Sequence, residues 1–247
     1  ELIKHFTNSA KFFSNNFHSN INFAFEIGSN DGLFLKKIRE ITGCQVLGID
    51  PSDEPVKIAI NNKIPTIKNF FSYNFSKKIR KKYGCPDLII ANNVFAHIDD
   101  MQSIVKGISH LLKDKGYFIF EASYLLDVVK KYLIGTIIHE HLSVHSLYSL
   151  RPLLLKFNLH LIGLKHASKI QGGAIIGVAI KSKKHIPSLI VDNYIKKEKL
   201  NKLTSLDGMK NFNRKFKIKI NKFIKLINKK LKKNKLIGFG AARSAPL

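Results

Sequence analysis

The sequence has no tryptophan, two cysteines and two methionines among its 247 residues, and few acids: 17 Asp and Glu stand against 42 Lys and Arg. Cys44 and Cys85 form neither a CxxC pair nor a Cys/His metal spacing, which excludes a cysteine-built metal site. A reduced, cytoplasmic setting is the expectation from so few cysteines. No run of about 18 apolar residues occurs, so no membrane span is expected. The opening Glu1-Leu2-Ile3-Lys4-His5-Phe6 lacks the pattern of a signal peptide. It also lacks an initiator Met, so the chain reads as a fragment. Hydrophobic residues make up 45%, enough for a sizeable core.

The net charge of +25 invites a nucleic-acid reading, but its distribution weakens it. Residues 181–235 hold 19 Lys and Arg against 3 Asp and Glu. Lys, Asn, Ile and Phe are abundant together, as an AT-rich genome produces. A solvated surface with biased composition is therefore the expected reading, with no specific nucleic-acid partner.

Apolar runs and turn residues mark the elements. Strands are expected at Phe23–Ile27, Gln45–Ile49, Thr66–Lys68, Asp87–Ala91 and Gly116–Glu121, and helices at Leu33–Ile41, Val56–Asn61 and Met101–Leu112. Strands alternating with helices imply a parallel, doubly wound sheet. Leu147–Phe157 reads as a helix despite Pro152, followed by two strands, Leu159–Lys165 and Gly172–Ile180, as an antiparallel pair. That arrangement resembles the Rossmann-like architecture of class I methyltransferases. Past Pro187, residues Phe212, Phe216, Ile220, Phe223, Ile227 and Leu231 mark one helix face among lysines. A strand then begins at Lys235–Phe239, with Gly238-Phe239-Gly240-Ala241-Ala242 as its turn. The expected division is 1–20 as helix and linker, 21–183 as the methyltransferase domain, and 184–247 as a basic helical segment plus the start of a truncated second α/β domain.

Ligands of a parallel sheet sit at the carboxyl ends of its strands. There lies Glu26-Ile27-Gly28-Ser29-Asn30-Asp31-Gly32, where Gly28 permits a sharp turn and Gly32 a close backbone approach. The spacing departs from GxGxxG and no GK[ST] follows, so phosphate cradling is disfavoured. S-adenosylmethionine (SAM) carries no phosphate; it needs backbone contacts and an acid for its ribose hydroxyls. Asp50, at the end of the second strand before Pro51, supplies that acid. NAD competes for the same arrangement. Asn92-Asn93-Val94-Phe95 follows the fourth strand where nucleic-acid amino-methyltransferases show [DN]PP[YF], which argues against that chemistry. Phe71 joins the cofactor candidates.

His139-Glu140-His141 follows the fifth strand on the ligand side. Histidine suits a general base near neutral pH, and His97 is placed to reach the same pocket. An HxH pair plus a distant His also suits zinc, although no fourth ligand is evident. Surface or structural histidines are the plain alternative.

These segments together resemble the SAM-dependent sugar C-methyltransferases that act on nucleotide-linked keto-deoxysugars. The resemblance runs from about Phe25 to Gly240. It is carried by Glu26 to Gly32, Gly48-Ile49-Asp50-Pro51, Ile90-Ala91-Asn92-Asn93-Val94-Phe95-Ala96-His97-Ile98, His139-Glu140-His141-Leu142-Ser143, Gly172-Gly173 and Gly238-Phe239-Gly240-Ala241. It implies removal of a proton beside a ketone and attack of the resulting enolate on the SAM methyl. His141 matches the family's base; Glu140 and His97 match pocket residues, and His97 is the candidate for oxyanion stabilisation. Tyr124, His139, Gln171, Gly172 and Gly173 are the substrate candidates. The chain has Ile138 where the family usually has Tyr, and Gln171-Gly172-Gly173-Ala174 where it usually has His-Gly-Gly-Ser. Family members also carry an N-terminal zinc module, so zinc is expected only ahead of Glu1. Transfer to oxygen or nitrogen of another small molecule, and a non-catalytic anion-binding module, are the other readings of the same residues.

Overall fold

A computed structural model describes residues 2–16, 20–167, 172–231 and 235. Helix α1 (Leu2–Asn16) precedes a sheet of seven strands: β1 (Phe23–Ile27), β2 (Gln45–Asp50), β3 (Thr66–Lys68), β4 (Leu88–Asn92), β5 (Tyr117–Ser123), β6 (Leu159–Ala167) and β7 (Ala174–Lys181). Their order is β3-β2-β1-β4-β5-β7-β6, with β7 antiparallel to both neighbours and the first five strands parallel. The strand order reverses direction between β1 and β4, which opens a crevice at their carboxyl ends.

The parallel strands are buried on both faces, hence their unbroken apolar runs. Leu88, Ile89, Ile90 and Ala91 are all fully buried. Their side chains alternate between two cores. Phe25, Ile49, Ile89 and Phe118 point to one, under α4 (Tyr73–Tyr83), α5 (Met101–Leu111) and α7 (Leu147–Leu155). Ala24, Val46, Leu88 and Ile90 point to the other, where Ala10 and Phe13 of α1 meet Phe34, Leu35 and Ile38 of α2 (Leu33–Thr42). Helices α3 (Asp53–Asn61) and α6 (Leu125–Lys131) follow β2 and β5.

The expected strands and helices occur with ends shifted by a few residues. α7 stops at Leu155, not Phe157, and tolerates Pro152 in a helix of 9 residues begun by a Ser146–Ser149 capping box. Helices α4 and α6 were not expected, whereas α8 (Leu189–Leu200) falls in the expected basic helical segment. α4 is strongly basic and turns only Ser76 and Ile79 fully inward, so its apolar signal is weak. The lysine-rich segment ends in α9 (Leu206–Leu231), which has no buried residue. Its expected apolar face is real only at one end. Tyr132, Phe212 and Phe216 stack with ring centroids 5.7 to 6.4 Å apart. Phe223 and Leu231 stay exposed. Gln171 and the expected strand from Lys235 with its glycine turn lie outside the described residues, apart from Lys235 itself. No helix among the described residues is long and apolar enough to cross a membrane.

Glu198 ties α8 to the domain. It is fully buried and accepts the backbone N–H groups of Leu147 at 2.8 Å and Tyr148 at 2.9 Å, at the start of α7. Removing a charged acceptor from two such donors costs about 2–4 kcal/mol. Glu198→Ala should lower the urea midpoint accordingly with an unchanged slope. An unaltered midpoint would show that the Glu198 hydrogen bonds contribute nothing to the fold.

Candidate active site

Two cavities open side by side at the carboxyl edge of β1, β4 and β5. The larger, about 720 Å³, is lined by Glu26, Gly28, Ser29, Asn30, Asp31, Asp50, Pro51, Phe71, Asn92 and Asn93, ten of the eleven residues expected there. Gly32 is the exception. It caps the start of α2 at φ +77°, and a Cβ on it would press into the Ile64 side chain at 2.9 Å. Its close approach is to the Ile64 side chain.

The turn after β1 is built from few contacts. Gly28 has φ +66°, and a Cβ there would lie 2.6 Å from Val94 Cγ2, so both conformation and space demand glycine. The Gly28 and Ser29 N–H groups donate to the Ile49 carbonyl, 2.8 and 3.1 Å. Asn30 N–H donates to Asp50 Oδ2 at 3.0 Å, and Ser52 N–H to Asp50 Oδ1 at 2.9 Å. The glycine turn and the acid expected to grip a ribose are therefore one hydrogen-bonded unit. Each Asp50 oxygen uses one lone pair on backbone and keeps another for a hydroxyl.

Glu26 is 2% exposed. Asn92 Nδ2 donates to its Oε1 at 3.3 Å, while Oε2 is buried with no hydrogen-bond partner among the described residues. Burial pushes its carboxyl well above the ordinary range; the Asn92 bond opposes this, and Asp31 and Asp50 add to it. Such an oxygen is a place for a cationic donor.

The second cavity, about 550 Å³, is lined by Asn93, Ala96, His97, Ala122, Ser123, Leu133, Gly135, Thr136, His141, Ser143, His145 and Gly172. Asn93 and His97 belong to both linings, so they form the wall between the cavities. Asn93 takes a left-handed turn, φ 55°, directly after β4. A short 3-10 turn, Phe95–His97, follows; its anchor is Phe95, fully buried and stacked on Phe120 at 5.3 Å. The loops after β4 and β5 are then joined by hydrogen bonds. Leu142 N–H donates to the Ala96 carbonyl at 2.7 Å, and His97 Nδ1 lies 2.9 Å from the Glu140 carbonyl. His141 Nδ1 lies 2.7 Å from the Thr136 carbonyl. A carbonyl only accepts, so each Nδ1 carries the proton and each neutral ring has a bare Nε2. The two rings meet edge-on, centroids 4.9 Å apart.

Several expected substrate contacts do not reach this cavity. Tyr124 is fully buried and packs against His166 and Tyr194, with ring centroids 5.6 and 6.3 Å away; burial, with Glu198 nearby, holds its phenol well above the usual value. His139 is exposed, and Glu140 turns its carboxylate toward it at 3.9 Å, contributing to the site through its carbonyl. Gly173 faces Asp127, where a Cβ would collide with the carboxylate at 2.3 Å. Among the described residues no group of three or more His, Cys, Asp or Glu is arranged to hold a metal ion.

The sequence reading missed His145, whose Nε2 lies 3.3 Å from the Phe95 carbonyl and 3.0 Å from Ser143 Oγ. Burial lowers its pKa and keeps it neutral near physiological pH, against the opposing hydrogen bond to Phe95. It stands four residues after His141, a spacing visible in the sequence. Phe6 and Phe34, at the cofactor-side cleft, gave no signal, because an apolar wall looks like core.

The described fold and cavities have counterparts. Residues 24–164 match the family model for a methyltransferase domain. The chain is 33% identical over 151 residues to C-methyltransferase NovU of Streptomyces niveus, covering 61% of this chain and 36% of that protein. It is 26% identical over 122 residues to ubiquinone biosynthesis O-methyltransferase of Colwellia psychrerythraea, covering 47% of each. The chain thus spans less than half the length of these curated relatives. Among solved structures, magnesium protoporphyrin IX methyltransferase from Synechocystis with bound S-adenosylhomocysteine superposes with TM-score 0.57 at 13% identity, covering 73% of this chain and 83% of that one. The N-methyltransferase NodS from Bradyrhizobium japonicum with the same ligand gives 0.55 at 14%, covering 73% and 87%.

A carboxyl whose folded value is raised penalises folding above that value and not below its unfolded value of about 4.5. Stability is therefore lost as pH climbs through that window. Glu26→Gln should melt higher than the natural protein at pH 8, by about 2–4 °C for each kcal/mol relieved, with the gap closing toward pH 4.5. A variant that melts lower at pH 8 would contradict the strain assigned to Glu26.

Proposed function

Because the chain belongs to the methyltransferase domain family, which it matches over residues 24–164, we propose that it methylates a carbon of a nucleotide-linked keto-deoxysugar, with SAM as donor. The family match decides between the two cofactors that a ribose-gripping acid can serve, and it favours SAM over NAD. The residues present suit that cofactor. Asp50 has lone pairs for ribose hydroxyls, and buried Glu26 Oε2 suits the ammonium of an amino acid. Asn92 lines the larger cavity, and Asn93 stands between the two.

The observation that carries the reading is the junction: the two cavities share the wall formed by Asn93 and His97, and His141 stands across it with a bare Nε2. SAM, when bound, supplies an electrophilic sulfonium methyl. His141 Nε2 takes the proton from the carbon beside the ketone, and the C–H electron pair becomes the enolate. Bound SAM would supply its methyl to the enolate carbon, the methyl–sulfur bond breaking with its electron pair going to sulfur and leaving S-adenosylhomocysteine as a neutral thioether, while His141 holds the abstracted proton until solvent removes it. Carbon rather than heteroatom transfer is supported by the identity to a protein named as a C-methyltransferase, and the sugar acceptor by the motif resemblance.

The resemblance assigns oxyanion stabilisation to His97, and its hydrogen bonding refines that role. With Nδ1–H engaged by the Glu140 carbonyl, Nε2 donates only from the imidazolium. Neutral donors lining the cavity include the Ser123 and Ser143 hydroxyls and the Asn93 amide.

In D2O without SAM, a nucleotide-linked 4-keto-6-deoxysugar should exchange its acidic carbon-bound proton in the presence of the protein. His141→Ala should slow that exchange by about 10²–10⁴-fold, the usual worth of a positioned base. Methyl transfer to oxygen or nitrogen with no proton exchange would overturn carbon methylation while leaving the SAM reading intact.

A further inference from the structure

Helix α1 lies ahead of the matched residues 24–164, yet it reaches the site. Ala10 and Phe13 of α1 are buried against the sheet, and so is His5, 8% exposed. His5 Nε2 lies 2.6 Å from Oε2 of Glu121, a β5 residue only 1% exposed. A carboxylate only accepts, so the imidazole N–H donates. The other carboxylate oxygen, Oε1, accepts from Asn93 Nδ2 at 3.4 Å, and the Asn93 backbone N–H donates to the Glu121 carbonyl at 2.8 Å. The amide of Asn93 is thereby oriented nitrogen-first toward Glu121. The residue after His5 is Phe6, which lines the larger cavity and meets Phe34 edge-on at 5.2 Å.

We propose that His5 and Glu121 form a latch: their contact seats α1 so that Phe6 walls the cofactor cleft and the Asn93 amide is held between the two cavities. They are positioning residues for cofactor binding, and this rests on the reading of the larger cavity as the SAM site. Apolar packing alone would hold a leucine at position 5 as well as a histidine. A leucine, however, leaves Glu121 buried without its donor, which is costly. Undocking of α1 relieves that cost by letting water reach Glu121, and it displaces Phe6 and loosens the hold on the Asn93 amide. The latch therefore couples a segment outside the matched domain to the wall shared by both cavities.

Titration calorimetry with S-adenosylhomocysteine tests this. His5→Leu should raise Kd by about tenfold, which is 1.4 kcal/mol. His5→Gln, whose amide also donates to a carboxylate, should stay within about threefold of the natural protein. Phe6→Ala should weaken binding alone but add little in the His5→Leu background, the non-additivity expected of residues acting as one unit. If His5→Leu does not melt cooperatively, the isosteric Glu121→Gln replaces it. One of its two partners then loses an acceptor, and Kd should rise by about threefold or more. An unchanged Kd in either variant, equal losses in His5→Leu and His5→Gln, or additive losses with Phe6→Ala overturn the latch. A natural protein that does not bind S-adenosylhomocysteine contradicts the cofactor reading itself.

Discussion

The joining of two loops by backbone carbonyls is the constraint on which the site depends. The loop after β4 and the loop after β5 come from neighbouring parallel strands, so the sheet already sets them side by side. The Leu142–Ala96 hydrogen bond and the His97–Glu140 contact then fix their relative depth. Two consequences follow. The imidazoles of His97 and His141 stand 4.9 Å apart, and each has its Nδ1 proton committed to a carbonyl. A neutral imidazole held that way is a base at Nε2 without further adjustment. Stacking of Phe95 on Phe120 anchors the first loop in the apolar core, so chemistry and packing meet within three residues of one another.

The cofactor side follows a different logic, in which strain is held locally and offset by the fold. Gly28 turns sharply against Val94, Ser29 tucks over Gly48 where a Cβ would collide with its Oγ at 2.3 Å, and Glu26 is buried with one oxygen unmatched. These features destabilise the chain slightly and suit it to a cationic, ribose-bearing partner. Such local costs concentrate at functional sites. The sheet tolerates them because β1 is paired on both sides, with β2 and β4.

Legibility in the sequence divided along physical lines. β1, β2, β3, β4 and β5 were visible because strands buried on both faces are written as apolar runs, and Asp50 because an acid at a strand end follows the glycine turn by a fixed crossover. The antiparallel close of the sheet, β6 and β7, was also visible. α4 was not, since a basic helix with two fully buried positions has little periodicity. Tyr124 was misplaced because a residue at the end of β5 reads as cleft-facing, whereas its ring turns inward to His166 and Tyr194. His145 was legible only as a spacing from His141, because its place depends on loop pairing, and Glu121 was invisible because its partner lies on a helix 116 residues away in sequence.

The tautomeric state of the paired histidines tests the central claim most directly. Nitrogen-15 spectra of histidine-labelled protein, with assignments from His97→Gln and His141→Gln, distinguish a protonated ring nitrogen from a bare one. In their neutral forms both His97 and His141 are expected to carry the proton on Nδ1 and to leave Nε2 bare. A neutral His141 protonated at Nε2 would have no lone pair facing the cavity and would contradict its role as the base.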